Sequence, residues 1–385
     1  MRKSSLFKRW PRYFIILAIL GIMLQTWWMG GHFPSMNMNT HTHILPPLKQ
    51  SMNLLASSEL EESKPPHMLR PNFQTGVVFP QWGKSGYGTE DTNWQTGLSN
   101  IQHQTAAQWV SMAINFSQAA PDATQVQVAH NTPTLQAVTS GIRLARTMGF
   151  HVFIQPLITI IGPKAWAGYI QFNTEQQAQA WFDSYWQTYE PYIAVAAQAG
   201  ADELSLGDEY ELLQAQWSPQ WNQLIARAHT IFHGALTYDS NWTSLTAPEP
   251  SWMQNPLLRY IGVAVYIPLT DAPERLAPAI IPGLWREKIG KVLDAFSARL
   301  KKPVLISEIG YRNSPDALYQ PWANQTLAGT DPAEQAAAYD AALQNALVDP
   351  HIAGIFFWAW SFPPFQPNEE PASRELYRWY TSPLA

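Results

Sequence analysis

The chain of 385 residues is 46% hydrophobic and 13% aromatic, ample for a sizeable core in one large domain or two ordinary ones. It has no cysteine, which excludes disulfides, zinc–thiolate centres and thiol nucleophiles. The net charge of −5 hides an acid-free tip holding Arg2, Lys3, Lys8, Arg9 and Arg12; the remainder carries 19 basic against 29 acidic residues, a balance of −10. So acidic a body is a poor partner for nucleic acid, which rewards clustered Lys and Arg.

The basic tip runs into an apolar stretch over residues 13–29 that ends in Trp27, Trp28 and Met29. It is just long enough to cross a bilayer as a helix. The Lys/Arg flank is expected to stay cytoplasmic, and the Trp pair suits the opposite interface. A cleaved signal peptide is the rival reading, but no Ala-x-Ala-like site follows, so residues 1–29 are read as an uncleaved membrane anchor. Either way the body is exported, to the periplasm or the cell exterior. Residues 30–70, with Gly30, Gly31, Pro34, Pro46, Pro47, Pro65 and Pro66, keep no periodicity and read as a flexible linker, with a short helix over 52–62. His41 and His43 fall there and read as solvated rather than as a metal site.

From residue 71 to 385, eight short apolar runs, at 75–80, 109–116, 151–157, 203–207, 235–238, 261–266, 304–307 and 354–358, alternate with helix-like segments. The clearest helices are 134–148, 174–198, 219–232, 288–301 and 331–347. Such alternation with near-continuous apolar strands predicts a parallel sheet covered by helices. Eight repeats in this length predict a closed (β/α)8 barrel. No Gly-rich phosphate fingerprint follows the first run, which argues against a nucleotide-binding sheet. Thr132-Pro133-Thr134 supplies a cap and a first-turn proline, Gly149 a left-handed stop, and Pro219 another helix start.

Two glutamates close apolar runs: Glu209 in Leu206-Gly-Asp-Glu209 and Glu308 in Val304-Leu-Ile-Ser-Glu308. An unpaired carboxylate at the end of a buried strand is costly, so two of them suggest a site that needs both. In a barrel, strand C-termini build the active site. Strand parity groups Ser205, Gly207 and Glu209 on one face, and Val304, Ile306 and Glu308 on another, if the backbone stays extended. A facing acid pair is the equipment of glycoside cleavage. Eighteen Trp exceed what a core needs, and sugar rings present apolar faces to such side chains, although any single ring can simply fill space.

The body resembles retaining (β/α)8 glycoside hydrolases of the large clan with the acid/base at strand four and the nucleophile at strand seven. Within that clan it is most similar to glycoside hydrolase family 113, the β-mannanases. The matching stretches are Thr132-Pro-Thr134 through Gly149-Phe-His-Val, Leu206-Gly-Asp-Glu209, Leu236-Thr-Tyr-Asp-Ser-Asn-Trp242, Ile261-Gly-Val-Ala-Val-Tyr-Ile-Pro268, Ser307-Glu-Ile-Gly-Tyr-Arg312 and Gly354-Ile-Phe-Phe-Trp-Ala-Trp360. The resemblance implies Glu209 as acid/base and Glu308 as nucleophile. It implies Tyr266 as the hydrogen-bond donor to that nucleophile and Trp358 as the sugar platform, with a cis peptide after it. Asn241 and Trp242 would line the cleft. No cofactor is implied.

Two positions depart from the pattern. Asp208 stands where the clan usually has Asn beside the acid/base; its charge is expected to raise the pKa of Glu209. Gln155-Pro156-Leu157 replaces Lys-Pro-His after the third strand, removing two polar cleft groups. The expected function is therefore a membrane-anchored, endo-acting retaining β-glycosidase on a β-linked polysaccharide such as mannan or an exopolysaccharide. A glycan-binding barrel without catalysis, associated with polysaccharide export, is the alternative. A metal-dependent hydrolase lacks its His-x-His at the first strand, where Phe79-Pro-Gln-Trp82 stands.

Overall fold

The computed structural model describes residues 69–382 except 90–91, 163–165, 326–328 and 369. The predicted span at 13–29, the linker up to residue 68 and the helix expected at 52–62 lie outside the described residues. Among those described, no helix is long and apolar enough to cross a membrane.

Eight parallel strands close into a barrel: β1 (Gln74–Val78), β2 (Trp109–Gln118), β4 (His151–Ile160), β5 (Glu203–Asp208), β6 (Ala235–Asn241), β7 (Ile261–Ala264), β8 (Val304–Ile309) and β9 (Ile352–Phe357). Neighbours follow chain order around the ring, and β1 pairs with both β9 and β2. Each of the eight predicted runs overlaps one of these strands, with 75–80, 261–266 and 354–358 running past the strand's end. The three-residue β3 (Val126–Val128) is an addition, paired antiparallel to the tip of β2. No apolar run marks β3, since only Val126 of its three residues is buried. Gln118 is satisfied off the ladder: it accepts from Trp181 Nε1 at 2.7 Å and donates to the Ala120 carbonyl at 2.7 Å.

The helices are α1 (Thr92–Thr105), α2 (Leu135–Thr147), α3 (Glu175–Ala199), the single turn α4 (Glu211–Gln214), α5 (Ser218–Ile231), α6 (Ile281–Trp285), α7 (Lys291–Leu300), α8 (Pro332–Ala346) and α9 (Ala372–Tyr380). Thr134 caps α2 by accepting from the Ala137 N–H, so Pro133 precedes the cap instead of entering the first turn. Gly149 takes φ +93°, the left-handed stop expected after that helix. Pro219 enters the first turn of α5 as predicted. Helix α1 has little sequence signal because its buried stripe is thin: Trp94, Leu98 and Ile101 among Asn, Gln and Ser.

Burial sorts into layers. A large cluster between sheet and helices includes Val304, Ile306, Ile309, Trp181 and Trp221. Inside the barrel, Val78, Phe153, Leu305 and Phe356 pack together from four strands. At the C-terminal mouth, Ala264, Tyr266 and Phe365 gather Trp242, Trp358 and Phe362.

At the opposite end, Glu203 begins β5 fully buried, accepting from Gln74 Nε2 at 2.7 Å. Burial pushes its pKa from 4.5 to about 8, against the pull of that donor and of Arg259. The folded protein thus holds a proton that the unfolded chain loses above pH 4.5, so stability present in acid is lost as pH rises through about 8. The cost above that pH is roughly 3–5 kcal/mol. Glu203→Gln keeps an amide partner for Gln74 and removes the charge. In thermal melts it is expected to match the parent near pH 5 and to exceed it by about 5 °C or more at pH 9. Equal melting at both pH values would contradict the assignment.

Candidate active site

Strands β5 and β8 bring Glu209 and Glu308 to the mouth from two sides, with β6 and β7 between them in the ring. Simple strand parity does not hold along either strand. Strand β5 is irregular against β6 between Ser205 and Asp208, and Ser205 Oγ donates to the Gly207 carbonyl at 2.6 Å. The extended backbone ends at Asp208, and Glu209 sits at φ +56°, a left-handed conformation uncommon for a side-chain-bearing residue. Val304 and Ile306 face the helices rather than the mouth; a register shift against β9 between Ile306 and Ile309 lets Glu308 turn inward. The bulges place Asp208 and Glu209, adjacent in sequence, in one site.

Glu209 Oε1 accepts from Asn241 Nδ2 at 2.6 Å, and the Trp166 side chain donates to the same carboxyl. Asn241 ends β6, and its Oδ1 is held by the Thr243 N–H at 2.9 Å and the Thr243 hydroxyl at 2.6 Å, which fixes the amide with its N–H toward Glu209. Glu308 accepts from the Tyr266 hydroxyl, two residues beyond β7. Trp358 follows β9 directly. It is half-buried, packs on the Tyr266–Phe365 cluster and lies 5.9 Å from the Phe362 ring. Its peptide to Ala359 is cis. Trp242 stacks on Trp322 at 5.6 Å and 25°, and Trp322 is 38% exposed. All seven sequence-derived site residues therefore meet at one end of the barrel.

Burial raises Glu209 to about 7, with Glu211 adding to it and Asn241 and Trp166 opposing. Asp208 and Glu209 repel each other when both are charged, and this reciprocal repulsion shows in the shift of Asp208. Asp208 is pushed well up by burial, Asp239, Glu209 and Glu308. Burial and the nearby Glu209 charge also push Glu308 up, while Tyr266 opposes. Two like charges that feel each other across a half-buried cleft do not both ionise readily, so Glu209 and Glu308 titrate as a pair that retains a proton near neutral pH.

Asp239, fully buried in β6, joins the site as a further carboxyl beyond the sequence-derived seven. Its own sequence signal, an acid inside an apolar run, is the one that marked the two glutamates. It is raised to about 8 by burial, and Asp208 and Asp239 hydrogen-bond each other, which requires a proton between them. Gln155 Nε2 donates to Asp239 at 3.2 Å and its Oε1 accepts from Ser111, so the departure at Gln155 serves the acid beneath the site. Carboxylate oxygens of Asp208, Asp239 and Glu308 lie within 4.8 Å of one another. That spacing would suit a cation, yet the shared proton and the Tyr266 donor account for it. Trp166 had no signal in the sequence, since it sits in an irregular stretch after β4.

A parallel eight-stranded barrel with a carboxyl pair and aromatic walls at its C-terminal mouth is the architecture of a (β/α)8 glycoside hydrolase. The model of Glycoside Hydrolase Family 113 matches residues 78–382, and the chain belongs to that family. No curated protein matches the chain. Among solved structures it is similar to a GH113 β-1,4-mannanase complex (19% identity, TM-score 0.68, covering 80% of this chain and 99% of that one). It is also similar to the GH113 β-mannanase of Alicyclobacillus acidocaldarius in complex with ManMIm (21%, TM-score 0.67, 80% and 97%). A β-glucuronidase from Ruminococcus gnavus shares the fold more distantly (11%, TM-score 0.52, 80% and 50%).

Proposed function

We propose that the protein is a membrane-anchored, endo-acting retaining β-glycosidase that cleaves a β-linked polysaccharide, mannan or an exopolysaccharide, by double displacement. The observation that carries this reading is the asymmetry of the carboxyl pair. Glu308 accepts from the Tyr266 phenol, whereas Glu209 accepts from the Asn241 amide and the Trp166 indole. In the proposed mechanism the pair's retained proton sits on Glu209 when substrate is bound. Glu209 gives it to the leaving oxygen while Glu308, kept ionised by the Tyr266 donor, attacks the anomeric carbon. Water, deprotonated by Glu209, then releases the sugar. Trp358 would lie under the ring whose bond is cut, and the Trp242–Trp322 stack would carry further sugar units. The shared proton on Asp208 and Asp239 limits the negative charge beneath a reacting centre that already needs one carboxylate.

Mannan is supported by family membership and by the mannanases among the structural relatives; the altered Gln155-Pro156-Leu157 leaves room for another backbone sugar. The decisive test incubates the protein with a panel of β-glycans, sizes the products and follows the first-formed anomer by proton NMR. Internal fragments of retained configuration are expected. Products of inverted configuration, or binding of a glycan without turnover, would defeat the reading.

The anchor rests on the basic tip and the apolar stretch 13–29. The full-length protein is expected to sediment with membranes through carbonate washing, with its N-terminus at or next to Met1. A mature terminus between residues 25 and 45 would show cleavage instead.

A further inference from the structure

At the N-terminal end of the barrel, remote from the carboxyl pair, the strand starts surround a cavity of about 520 Å³, within the range that takes a small ligand. Its floor is Gln74 and Glu203, the first residues of β1 and β5, 3% and 0% exposed. One oxygen of each, Gln74 Oε1 and Glu203 Oε1, has no hydrogen-bond partner. Buried oxygens left without a partner are costly, and the proposed hydrolysis uses neither.

The rim has the opposite character. Arg259, His229 and His233 are exposed and line the opening. The Arg259 guanidinium lies 5.5 Å from the Tyr260 ring centroid, and among the described residues it forms no ion pair. His229 and His233 meet edge to face at 5.9 Å. The remaining acid of the lining, Asp202, is already bridged to Arg146 at 2.9 Å and contacts His151 at 2.9 Å. Glu203 keeps its proton to about pH 8, so the floor does not repel an anion at neutral pH. In a body whose charge is strongly negative, this is a pocket where basic groups outnumber available carboxylates.

We propose that the cavity is a second ligand site that binds an acidic sugar. The carboxylate or phosphate pairs with Arg259, His229 and His233, and ring hydroxyls satisfy the free oxygens of Gln74 and Glu203. A bare anion would leave the floor unpaired, and a neutral sugar would leave the positive charge of Arg259, held over Tyr260, without a counter-charge. The two requirements together select a ligand with both features.

The test uses the full-length protein in uncharged detergent, with saturation-transfer NMR and calorimetry against glucuronate, mannose 6-phosphate, mannose and inorganic phosphate. Glucuronate or mannose 6-phosphate is expected to bind at least tenfold more tightly than mannose or phosphate; the stronger of the two identifies the acidic group. Arg259→Ala combined with His233→Ala is expected to weaken that binding tenfold or more and to leave glycan hydrolysis unchanged. Glu308→Gln is expected to leave it intact, which separates this site from the mouth. The proposal fails if no probe binds, or if mannose or phosphate alone binds as well as the acidic sugars. It also fails if the double variant binds normally, if Glu308→Gln abolishes binding, or if binding appears only after residues 30–68 are deleted, since the chain itself would then fill the cavity.

Discussion

Glu308→Ala is expected to abolish hydrolysis, with a loss on the order of 10⁴-fold or more, and added azide is expected to restore turnover of an activated aryl β-glycoside as a glycosyl azide. The reasoning starts from where Glu308 sits. A register shift at the end of β8 turns it into the mouth, and the Tyr266 hydroxyl donates to it, favouring the ionised form that attacks. Truncation removes the nucleophile and opens space against the anomeric carbon, which a small anion can enter from the same face. The azide product then has the configuration opposite to that of the substrate. Azide that changes nothing in a folded variant, or residual hydrolysis near the parent rate, would remove Glu308 from the nucleophile's role. Tyr266→Phe supplies a milder companion. It leaves the ring packed with Phe365 and Ala264 and removes only the donor, so kcat should fall by about 10- to 100-fold, roughly the 1.5–3 kcal/mol of a hydrogen bond to a charged group. An unchanged kcat would mean the phenol does not serve the ionised carboxylate.

The barrel was legible because its signals are redundant: each strand is an apolar run, and the order of runs and helices leaves little choice of topology. Position at the ends of two apolar runs was enough to bring Glu209 and Glu308 to one end of the barrel, but strand parity was not the reason. Parity assumes an unbroken pleat, and one extra residue in a strand reverses the face of everything after it. Bulges in β5 and β8 fall where the sequence reads as ordinary strand, Leu-Ser-Leu-Gly-Asp and Leu-Ile-Ser-Glu. What no local pattern carries is the company a residue keeps across the ring. Asp239, Gln155 and Ser111 come from three different strands, and their shared network beneath the site depends on register across the barrel rather than on spacing in the chain. The same holds for the acid–amide pair of Gln74 and Glu203, 129 positions apart.

Glu209→Ala is expected to slow substrates in proportion to how badly their leaving group needs a proton. The Glu209 carboxyl is raised to about 7 by its burial, which lets it hold a proton under conditions where a solvent-exposed glutamate has lost its own. General acid assistance of this kind is worth about 10²–10⁴-fold, so an oligosaccharide, whose leaving alcohol is poor, should lose that much. A dinitrophenyl glycoside, whose phenolate departs unaided, should form the glycosyl-enzyme at nearly the parent rate and then stall, because the base that activates water is gone. Azide needs no such base and should release the intermediate as a glycosyl azide of retained configuration, opposite to the product from Glu308→Ala. The pH profile gives an independent check. In the parent, activity on oligosaccharide should decline as pH rises through about 7, as the pair gives up its retained proton; in Glu209→Ala that alkaline limb should disappear from the residual activity on the same oligosaccharide. Equal losses on good and poor leaving groups, or an alkaline limb that survives the substitution, would mean that the proton donor lies elsewhere in the site, and Asp208, next in the chain and held protonated against Asp239, would then be the residue to replace.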